Sequence, residues 1–363
     1  MRVVLASTVT GRGGVWRHIT DVADGMQARG CEVDLALPAD ALALRREAAT
    51  RGLTVRDLGA SARGEVFHVH LADTYDNVAF RAIVRARRRG SRIVVTEHLP
   101  RSDASDPTAR PETSAATRGA YTAKTTFKRV QYALCDRIIC VSESSRQFVL
   151  SRYGVSPDAV VAIPNGIGSA NPFIRLPDGP AHFVAIGSVI AQKGFDVLIE
   201  AAGSARSSWS VDVIGEGAHL AQWSALSEEL AVPIRFVGGL DDVSSALDAA
   251  SALVVPSRWE AWPYVALEAM QHGRAIVAST VDGLPEIVAD GTTGILVPPD
   301  DPVALAHALD RLADDGSTAE AMGRAGRDRV PSFAIDTMLS RLFDEYRSTR
   351  RGRRVGATDG HSS

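Results

Sequence analysis

The chain has 363 residues, of which 45% are hydrophobic and 23% are charged, and its formal net charge is −3. This length favours two domains over a single core, and the composition is that of a soluble globular protein. The slightly negative charge gives no reason to expect nucleic acid as a partner.

Neither a membrane span nor a secretory leader is predicted. No apolar run approaches the length that crosses a bilayer, and the apolar stretch at residues 1–6 is too short for a signal peptide. The cysteines Cys31, Cys135 and Cys140 lack the paired spacing of a metal site, so we expect buried thiols in a reducing compartment. The expected location is the cytoplasm, with at most a peripheral position on the inner face of the cell membrane.

Short apolar runs alternate with helical patterns along almost the whole chain. The predicted strands begin near Val3, Val33, Val66, Ile93, Ile138 and Val160, and then near Phe183, Val211, Ile234, Leu253, Ile276 and Ile295. Helical periodicity fills the gaps, for example over residues 15–28, 77–89 and 195–203. Strands that alternate with helices form parallel sheets. Two sets of six strands therefore predict an α/β protein of two Rossmann-like, doubly wound domains.

Turn-forming residues place the domain boundary at 165–172 or at 176–180. We expect an N-terminal domain over 1–172 and a C-terminal domain over 173–333. A last helix over 334–349 is expected to pack back on the N-terminal domain. The polar tail 350–363 is expected to be disordered.

The first candidate site is the glycine loop Gly11-Arg12-Gly13-Gly14, which follows the first strand and opens a helix at Val15. Glycines at such a position let backbone N–H groups and the positive helix end approach a phosphate. The spacing is not that of the dinucleotide fingerprint, and a plain tight turn remains the alternative.

A second loop, from Gly187 to Asp196, follows the first strand of the second domain. Lys193 stands there at a helix start, where a cation is poorly matched to the helix dipole unless an anion lies nearby. That mismatch favours a phosphate-binding lysine over a solvated one.

Two carboxylates, Glu260 and Glu268, follow the buried strand run 252–256. On one continuous helix they would lie about 80° apart. Pro263 fits the first turn of a helix, so Glu260 is expected in a loop and Glu268 on the inward side of the next helix. Acceptor-only groups at the carboxyl end of a parallel strand suit sugar or ribose hydroxyls. A tight turn at Asp282-Gly283 is predicted after the following strand.

These stretches, together with Cys135 to Ser144 and Ile163 to Ile167, resemble one family. The chain resembles the retaining, nucleotide-sugar-dependent glycosyltransferases of the GT-B fold that are grouped as glycosyltransferase family 4. The resemblance runs from Val3 to about Tyr346. Its most specific part is Glu260 and Glu268, which match the E-x7-E motif of that family.

The resemblance implies a role for each matching residue. Glu268 would bind the ribose hydroxyls of the donor nucleotide, and Glu260 would face the transferred sugar. Lys193 would contact the diphosphate and help it depart, and His98 would lie near the reacting sugar or the acceptor. The other expected donor-binding residues are Gly13 and Gly14 at the diphosphate, Gly187 and Ser188 in the turn, Gly239 and Leu240 at the base, Arg258, and Tyr264.

Two positions depart from the family pattern. Ser188 stands where the family usually has an arginine, which removes a bidentate partner of the diphosphate. Arg258 or Arg12 is the hypothetical replacement. Trp262 and Tyr264 stand where much of the family has small residues, and either could shape the sugar pocket or pack in the core.

The implied enzyme is a metal-independent retaining hexosyltransferase that needs no cofactor. It would move sugar from a UDP- or GDP-sugar to a hydroxyl of a glycan, lipid-linked or small-molecule acceptor in bacterial polysaccharide or glycoconjugate synthesis. Its oxocarbenium-like transition state calls for cations and N–H dipoles at the leaving group. The alternatives are a nucleotide-sugar epimerase and a donor-binding regulatory protein with weakened catalysis.

His68 and His70 share a strand face and form a candidate ligand pair. With no third ligand evident, we interpret them as structural strand histidines.

Five arginines, at positions 81, 85, 87, 88 and 89, lie on one predicted helix and its end. They suit the headgroups of an anionic membrane, and they equally suit the C-terminal dipole of the helix.

Overall fold

The computed structural model describes residues 1–59, 64–72, 75–99 and 115–348, with the backbone alone for 115–121. The chain divides into two compact units. Unit 1 comprises Met1–Asn165 with Asp336–Ser363, and unit 2 comprises Gly166–Ile335. The tail 350–363 lies outside the described residues, so its disorder stays a prediction.

The strands of the described residues fall into two sets, one in each unit. Unit 1 contains β1 (Arg2–Ser7), β2 (Glu32–Leu37), β3 (Thr54–Asp57), β4 (Val66–Leu71), β5 (Arg92–Glu97), β6 (Arg137–Cys140) and β7 (Val160–Ala162). Unit 2 contains β8 (Ala181–Ile186), β9 (Trp209–Ile214), β10 (Ile234–Gly238), β11 (Ala252–Val255), β12 (Ala275–Ser279) and β13 (Gly294–Val297).

Helices connect these strands. They are α1 (Gly14–Ala28), α2 (Leu42–Thr50), α3 (Asn77–Arg88), α4 (Ala115–Ala133), α5 (Glu143–Tyr153), α6 (Phe195–Gly203), α7 (Leu220–Glu229), α8 (Ser244–Ala249), α9 (Tyr264–Gln271), α10 (Leu284–Ile287), α11 (Pro302–Asp314), α12 (Gly316–Arg329) and α13 (Ile335–Arg347). Among the helices of the described residues, none is long and apolar enough to cross a membrane.

The sheet of unit 1 has the order β3-β2-β1-β4-β5-β6-β7, and its strands pair in parallel. Strands such as β4 are buried along their whole length, as expected where helices cover both faces of a parallel sheet. Strands β2 and β3 are added on one side of β1, and strands β4 to β7 are added on its other side. The carboxyl ends of β1 and β4 therefore flank a point at which α/β folds commonly bind ligands.

The sheet of unit 2 repeats this plan with the order β10-β9-β8-β11-β12-β13, again in parallel. Its reversal point lies between β8 and β11. A core of side chains from the strands and from helices α6 and α11 includes Phe183, Leu198, Val254 and Leu309. The two sheets confirm the fold class expected from the sequence.

The boundary between the units lies at Asn165/Gly166, seven residues before the expected end of the N-terminal domain at 172. The turn-rich residues that follow are bound to unit 2. Ile167 forms a parallel bridge with Ala334, and the N–H of Asn171 donates to the carbonyl of Gln271 at 3.1 Å. These hydrogen bonds fix the segment to unit 2. It is therefore part of that unit and not a linker, although it is rich in turn-forming residues.

Helix α13 packs on unit 1. Its Leu339 side chain fills the space beside Gly25, where an added Cβ would lie 2.4 Å from Leu339 Cδ1. The Tyr346 hydroxyl lies 2.5 Å from Nδ1 of His68. Arg137 of β6 forms an ion pair with Glu345. Unit 1 is thus built from both ends of the described chain.

Candidate functional site

The turn after β8 is built from closely packed backbone. Gly187 follows the strand with φ +154°, and its N–H donates to the carbonyl of Ile214 at 2.9 Å. A Cβ at Gly215 would lie 1.9 Å from the carbonyl oxygen of Gly187, so the ends of β8 and β9 approach only because position 215 is glycine. A Cβ at Gly187 would lie 3.4 Å from Cε of Lys193. The stem of Lys193 therefore covers this turn.

Lys193 lies on a single helical turn, Ala191–Lys193, just before α6. Gly194 follows with φ +65°, and a Cβ there would lie 2.1 Å from the carbonyl oxygen of Pro256. This glycine therefore lets α6 begin against the end of β11. The Nζ of Lys193 lies 2.6 Å from Oε1 of Glu260. An anion was expected near Lys193 because of its position at a helix start. In this structure that anion is Glu260, the first carboxylate of the E-x7-E motif.

Glu260 lies in the loop after β11, and the residue is buried, with 6% of its surface exposed. Its Oε1 accepts from Lys193, and Oε2 lies 3.3 Å from the amide Nε2 of Gln192. Its backbone N–H donates to Oδ2 of Asp282 at 3.0 Å, and its carbonyl accepts from Gly283 at 3.1 Å. Hydrogen bonds from the ends of both β8 and β12 thus position this carboxylate.

Glu268 lies on α9, in the second turn of a helix that begins at Tyr264, and its side chain is half-buried. Pro263 is the N-cap residue of that helix, so the loop and helix positions expected for the two glutamates are those of the structure. The carboxylates come from one loop and one helix at the carboxyl side of β11.

The expected base-binding residues follow β10. The carbonyl of Gly238 accepts from the N–H of Gly215 at 2.8 Å. A Cβ at Gly239 would lie 3.4 Å from the side chain of Glu216, and Leu240 is 51% exposed. These residues and the turn at Gly187 share the carboxyl edge of the sheet in unit 2.

Arg258 and Ser188 differ in what surrounds them. Ser188 is exposed, whereas the guanidinium of Arg258 lies 2.8 Å from Asp196 Oδ2 and 2.7 Å from Asp300 Oδ1. The hydrogen bonds that Arg258 donates to Asp196 raise the pKa of Arg258. A further bond to the carbonyl of Ala191 fixes the guanidinium to the turn that carries Lys193. We interpret Arg258 as a residue that holds this turn, because two carboxylates already neutralise its charge.

The other proposed replacement, Arg12, lies in unit 1 and forms an ion pair with Glu47 at 3.0 Å. The glycine loop beside it is exposed, and a Cβ at Gly13 would meet no atom within 4 Å. Gly14 is the first residue of α1, whose first amides have no partner within the helix.

The two aromatic side chains near Glu260 are buried. The Trp262 ring packs edge-on against Phe333 with 5.9 Å between ring centroids, which favours the core-packing alternative for Trp262. Tyr264 is 7% exposed at the start of α9.

His98 follows β5 in unit 1, and its N–H donates to the carbonyl of Leu71 at 3.1 Å. Its Nε2 lies 3.3 Å from Nδ1 of His70. Its ring centroid lies 4.8 Å from that of His18 on α1. Burial lowers the pKa of His98 well below its usual value, so the imidazole is neutral near pH 7.

His68 and His70, both interpreted from the sequence as structural strand histidines, have different partners. The Nδ1 and Nε2 atoms of His68 lie 2.5 Å from Tyr346 and 2.7 Å from Thr96, so this residue is a structural strand histidine. His70 instead groups with His18 and His98. The missed residue is His18, which the sequence marks only as a polar residue inside the buried stripe of α1.

Gln192 and Asp282 also contribute to the site, although the sequence reveals no role for either within its motif. Asp282 has φ +42°, an uncommon value for a residue other than glycine. Its carboxylate holds the backbone of Glu260, and Gln192 bonds both Glu260 and the carbonyl of Trp259.

Two known protein families match this chain, one in each half. Residues 12–170 match the family described as Glycosyltransferase Family 4, and residues 180–315 match Glycosyl transferases group 1. The alpha-maltose-1-phosphate synthase of Mycobacterium tuberculosis is 31% identical over 266 residues, which are 63% of this chain and 67% of that protein. The chain belongs to glycosyltransferase family 4. The glycogen synthase of the same organism is 32% identical over 231 residues, which are 60% of this chain and 56% of that protein. The alignment therefore spans little more than half of this second relative.

Solved structures of this glycosyltransferase fold are similar over almost the full length. HepE of Anabaena, solved in complex with UDP and glucose, superposes with a TM-score of 0.79 at 15% identity and covers 96% of this chain and 100% of its own. Sucrose-phosphate synthase from Thermosynechococcus elongatus superposes with a TM-score of 0.76 at 19% identity, covering 96% and 98%. At these identities the similarity establishes the GT-B fold.

Proposed function

We propose that this family 4 glycosyltransferase moves a hexose from a nucleotide-diphosphate sugar, UDP- or GDP-linked, to an acceptor hydroxyl and retains the anomeric configuration. The observation that carries the proposal is the ion pair between Lys193 and Glu260 at the carboxyl ends of β8 and β11. This pair places a cation, Lys193, for the diphosphate of the donor next to an anion, Glu260, for its sugar hydroxyls.

The ammonium of Lys193 can donate three hydrogen bonds, and Glu260 takes one of them. The remaining donors can serve phosphate oxygens as negative charge collects on the departing diphosphate. Each oxygen of Glu260 has a second lone pair that can accept from a sugar hydroxyl. Glu268 offers the same chemistry to the ribose.

In the proposed step, the bond from the anomeric carbon to the diphosphate breaks and a bond to the acceptor oxygen forms on the same face. The acceptor proton passes to the departing phosphate oxygen, which the same-face approach brings near. Stabilisation comes from the charge of Lys193, and we propose that transfer needs no metal at the diphosphate.

The proposed acceptor is a glycan, a lipid-linked or a small-molecule hydroxyl in bacterial polysaccharide or glycoconjugate synthesis. The similarity to a glycogen synthase and to a D-inositol 3-phosphate glycosyltransferase of Streptomyces avermitilis supports this range. We place the reaction in the cytoplasm.

Peripheral contact with an anionic membrane is part of the proposal. Arg81, Arg85 and Arg88 of α3 are exposed, whereas Arg87 pairs with Asp136. Sedimentation with vesicles containing phosphatidylglycerol should retain the chain at low salt and release it at high salt. A variant with all three of these arginines changed to Gln should stay in solution. Equal sedimentation of both proteins would remove the membrane contact.

The test begins with thermal unfolding of the full chain in the presence of UDP-, GDP- and ADP-sugars, because a true donor stabilises the folded state by mass action. The sugar that shifts the midpoint is then labelled and incubated with candidate acceptors in EDTA, and the product anomer is read by NMR. Lys193→Ala is the inactive control. Epimerised donor without acceptor would favour the epimerase, and binding without turnover would favour a regulatory protein. No shift with any donor would contradict the proposed site.

A further inference from the structure

Three buried histidines of unit 1 converge from three separate elements. His18 lies in the first half of α1, His70 near the end of β4, and His98 directly after β5. Strands β4 and β5 are neighbours in the sheet, so their carboxyl ends present His70 and His98 side by side. One ring nitrogen from each of the three residues lies within 4.8 Å of the others.

The spacing is close to that of a metal centre. Four-coordinate zinc with bonds of about 2.0–2.1 Å to imidazole nitrogen places neighbouring nitrogens about 3.3 Å apart. His70 Nδ1 and His98 Nε2 are already 3.3 Å apart. The widest gap must close by about 1.5 Å, which small side-chain rotations provide.

One ring nitrogen of the cluster lacks the polar partner that a buried imidazole normally has. Nε2 of His70 is buried and has no hydrogen-bond partner among the described residues. An unsatisfied buried nitrogen costs free energy, which coordination through Nε2 would recover, whereas coordination through Nδ1, the atom 3.3 Å from His98, would leave that cost in place. His68 is not part of the set, because both of its ring nitrogens are hydrogen-bonded elsewhere.

We propose that His18, His70 and His98 form a binding site for a divalent transition-metal ion of the zinc type. Three imidazoles without a carboxylate suit Zn²⁺, Co²⁺, Ni²⁺ and Cu²⁺, whereas Mg²⁺ and Ca²⁺ prefer oxygen ligands. Three protein ligands leave one position for water or another oxygen.

The site stands independently of the proposed function. Should His98 also act near the sugar, an ion would occupy that imidazole and slow transfer.

The test uses the full chain without an affinity tag, stripped with EDTA and titrated with Co²⁺. We expect one equivalent to bind with the intense visible bands of four-coordinate cobalt, and Zn²⁺ to displace it. His18→Gln, His70→Asn and His98→Gln should each weaken binding by at least about 100-fold, since even outer-shell partners contribute 10–100-fold. His307→Gln, an exposed histidine of α11, should bind as the wild type does.

A second measurement covers the case in which a histidine variant fails to fold. Thermal unfolding of the wild-type chain should shift upward with ZnCl₂ and stay unchanged with MgCl₂ at the same concentration. The proposed site would be overturned if each of the three single variants bound Co²⁺ as tightly as the wild type does. It would also be overturned if the wild-type chain bound neither Co²⁺ nor Zn²⁺. Because these readouts do not use a sugar donor, failure here is separate from failure of the proposed transfer.

Discussion

The Nζ of Lys193 and Oε1 of Glu260 are 2.6 Å apart, although 67 positions separate the two residues in the sequence. Both side chains are largely buried, with 20% and 8% of their surfaces exposed. The pair joins the turn after β8 to the loop after β11. Each residue therefore influences both the stability of the site and its chemistry.

Lys193→Ala should lower the free energy of unfolding by about 1–3 kcal/mol, because it leaves the Glu260 carboxylate buried without its cation. It should also lower sugar transfer at least about 100-fold through loss of charge at the leaving group. Adding Glu260→Gln should recover part of the stability and none of the transfer. Urea unfolding and initial rates measure the two effects. Recovery of transfer in the double variant would contradict the role of Lys193.

Gly194→Ala should destabilise unit 2 by at least about 2 kcal/mol. The residue has φ +65°, and the new Cβ would lie 2.1 Å from the Pro256 carbonyl, an overlap that no side-chain rotation relieves. Gly203→Ala is the matched control, because a Cβ at the end of α6 meets no atom within 4 Å. That variant should unfold within about 1 kcal/mol of the wild type. Equal midpoints for the two variants would show that the backbone contact is unimportant.

Substitutions of Asp282 should separate backbone strain from the hydrogen bond to Glu260. Asn tolerates positive φ and keeps an acceptor, so Asp282→Asn should retain most of the activity. Asp282→Ala should lose about 1–2 kcal/mol of stability and about tenfold in kcat/KM. Asp282→Gly relieves the strain at φ +42° but removes the acceptor. If the Gly variant transfers sugar as well as wild type, the bond to Glu260 has no positioning role.

Ser188→Arg should tighten the binding of UDP or GDP by about tenfold, equivalent to 1.4 kcal/mol, because it adds a bidentate cation at the exposed turn after β8. Ser208→Arg is the control, since this exposed residue precedes β9 at the opposite edge of the same sheet. Calorimetry at two salt concentrations gives the affinities. The same gain at both positions would assign the effect to net charge alone.

The native thiols should react slowly. Burial raises the pKa values of Cys31, Cys135 and Cys140, so at pH 8 the thiolate fraction falls below that of a free thiol. We expect Ellman's reagent to modify native protein far more slowly than glutathione, and to modify all three thiols in guanidinium. Rapid reaction of any of them in the folded chain would disprove this environment.

Hydrophobic patterning was sufficient to predict most of the fold. All twelve expected strand starts lie in strands, because buried parallel strands are continuous apolar runs. The missed strand is β3, a four-residue edge strand with the sequence TVRD and two exposed positions. Strand β3 pairs with a single neighbour, β2, and is only partly buried. The sequence of such a strand contains no continuous apolar run.

The candidate site was predicted in part. The sequence identified Lys193 and Glu260 separately, yet their contact depends on β8 and β11 being neighbours, which local patterns do not encode. The same holds for His18 and His98, which lie 80 positions apart in the sequence and meet through a ring contact between α1 and the residue after β5. Composition and motif spacing reveal which residues carry chemistry, and strand order decides which of them meet.

The two ends of unit 2 are hydrogen-bonded to each other. Ile167 donates its N–H to the carbonyl of Phe333 at 2.8 Å, and Ile335 donates to the carbonyl of Ile167 at 2.9 Å. Residues 166–335 can therefore be excised as one uninterrupted segment with adjoining termini, a geometry that tolerates circular permutation. The remainder can be rejoined by a short linker between Asn165 and Asp336. Each unit can then be produced separately and titrated with its proposed ligand, the nucleotide sugar for unit 2 and the metal ion for unit 1.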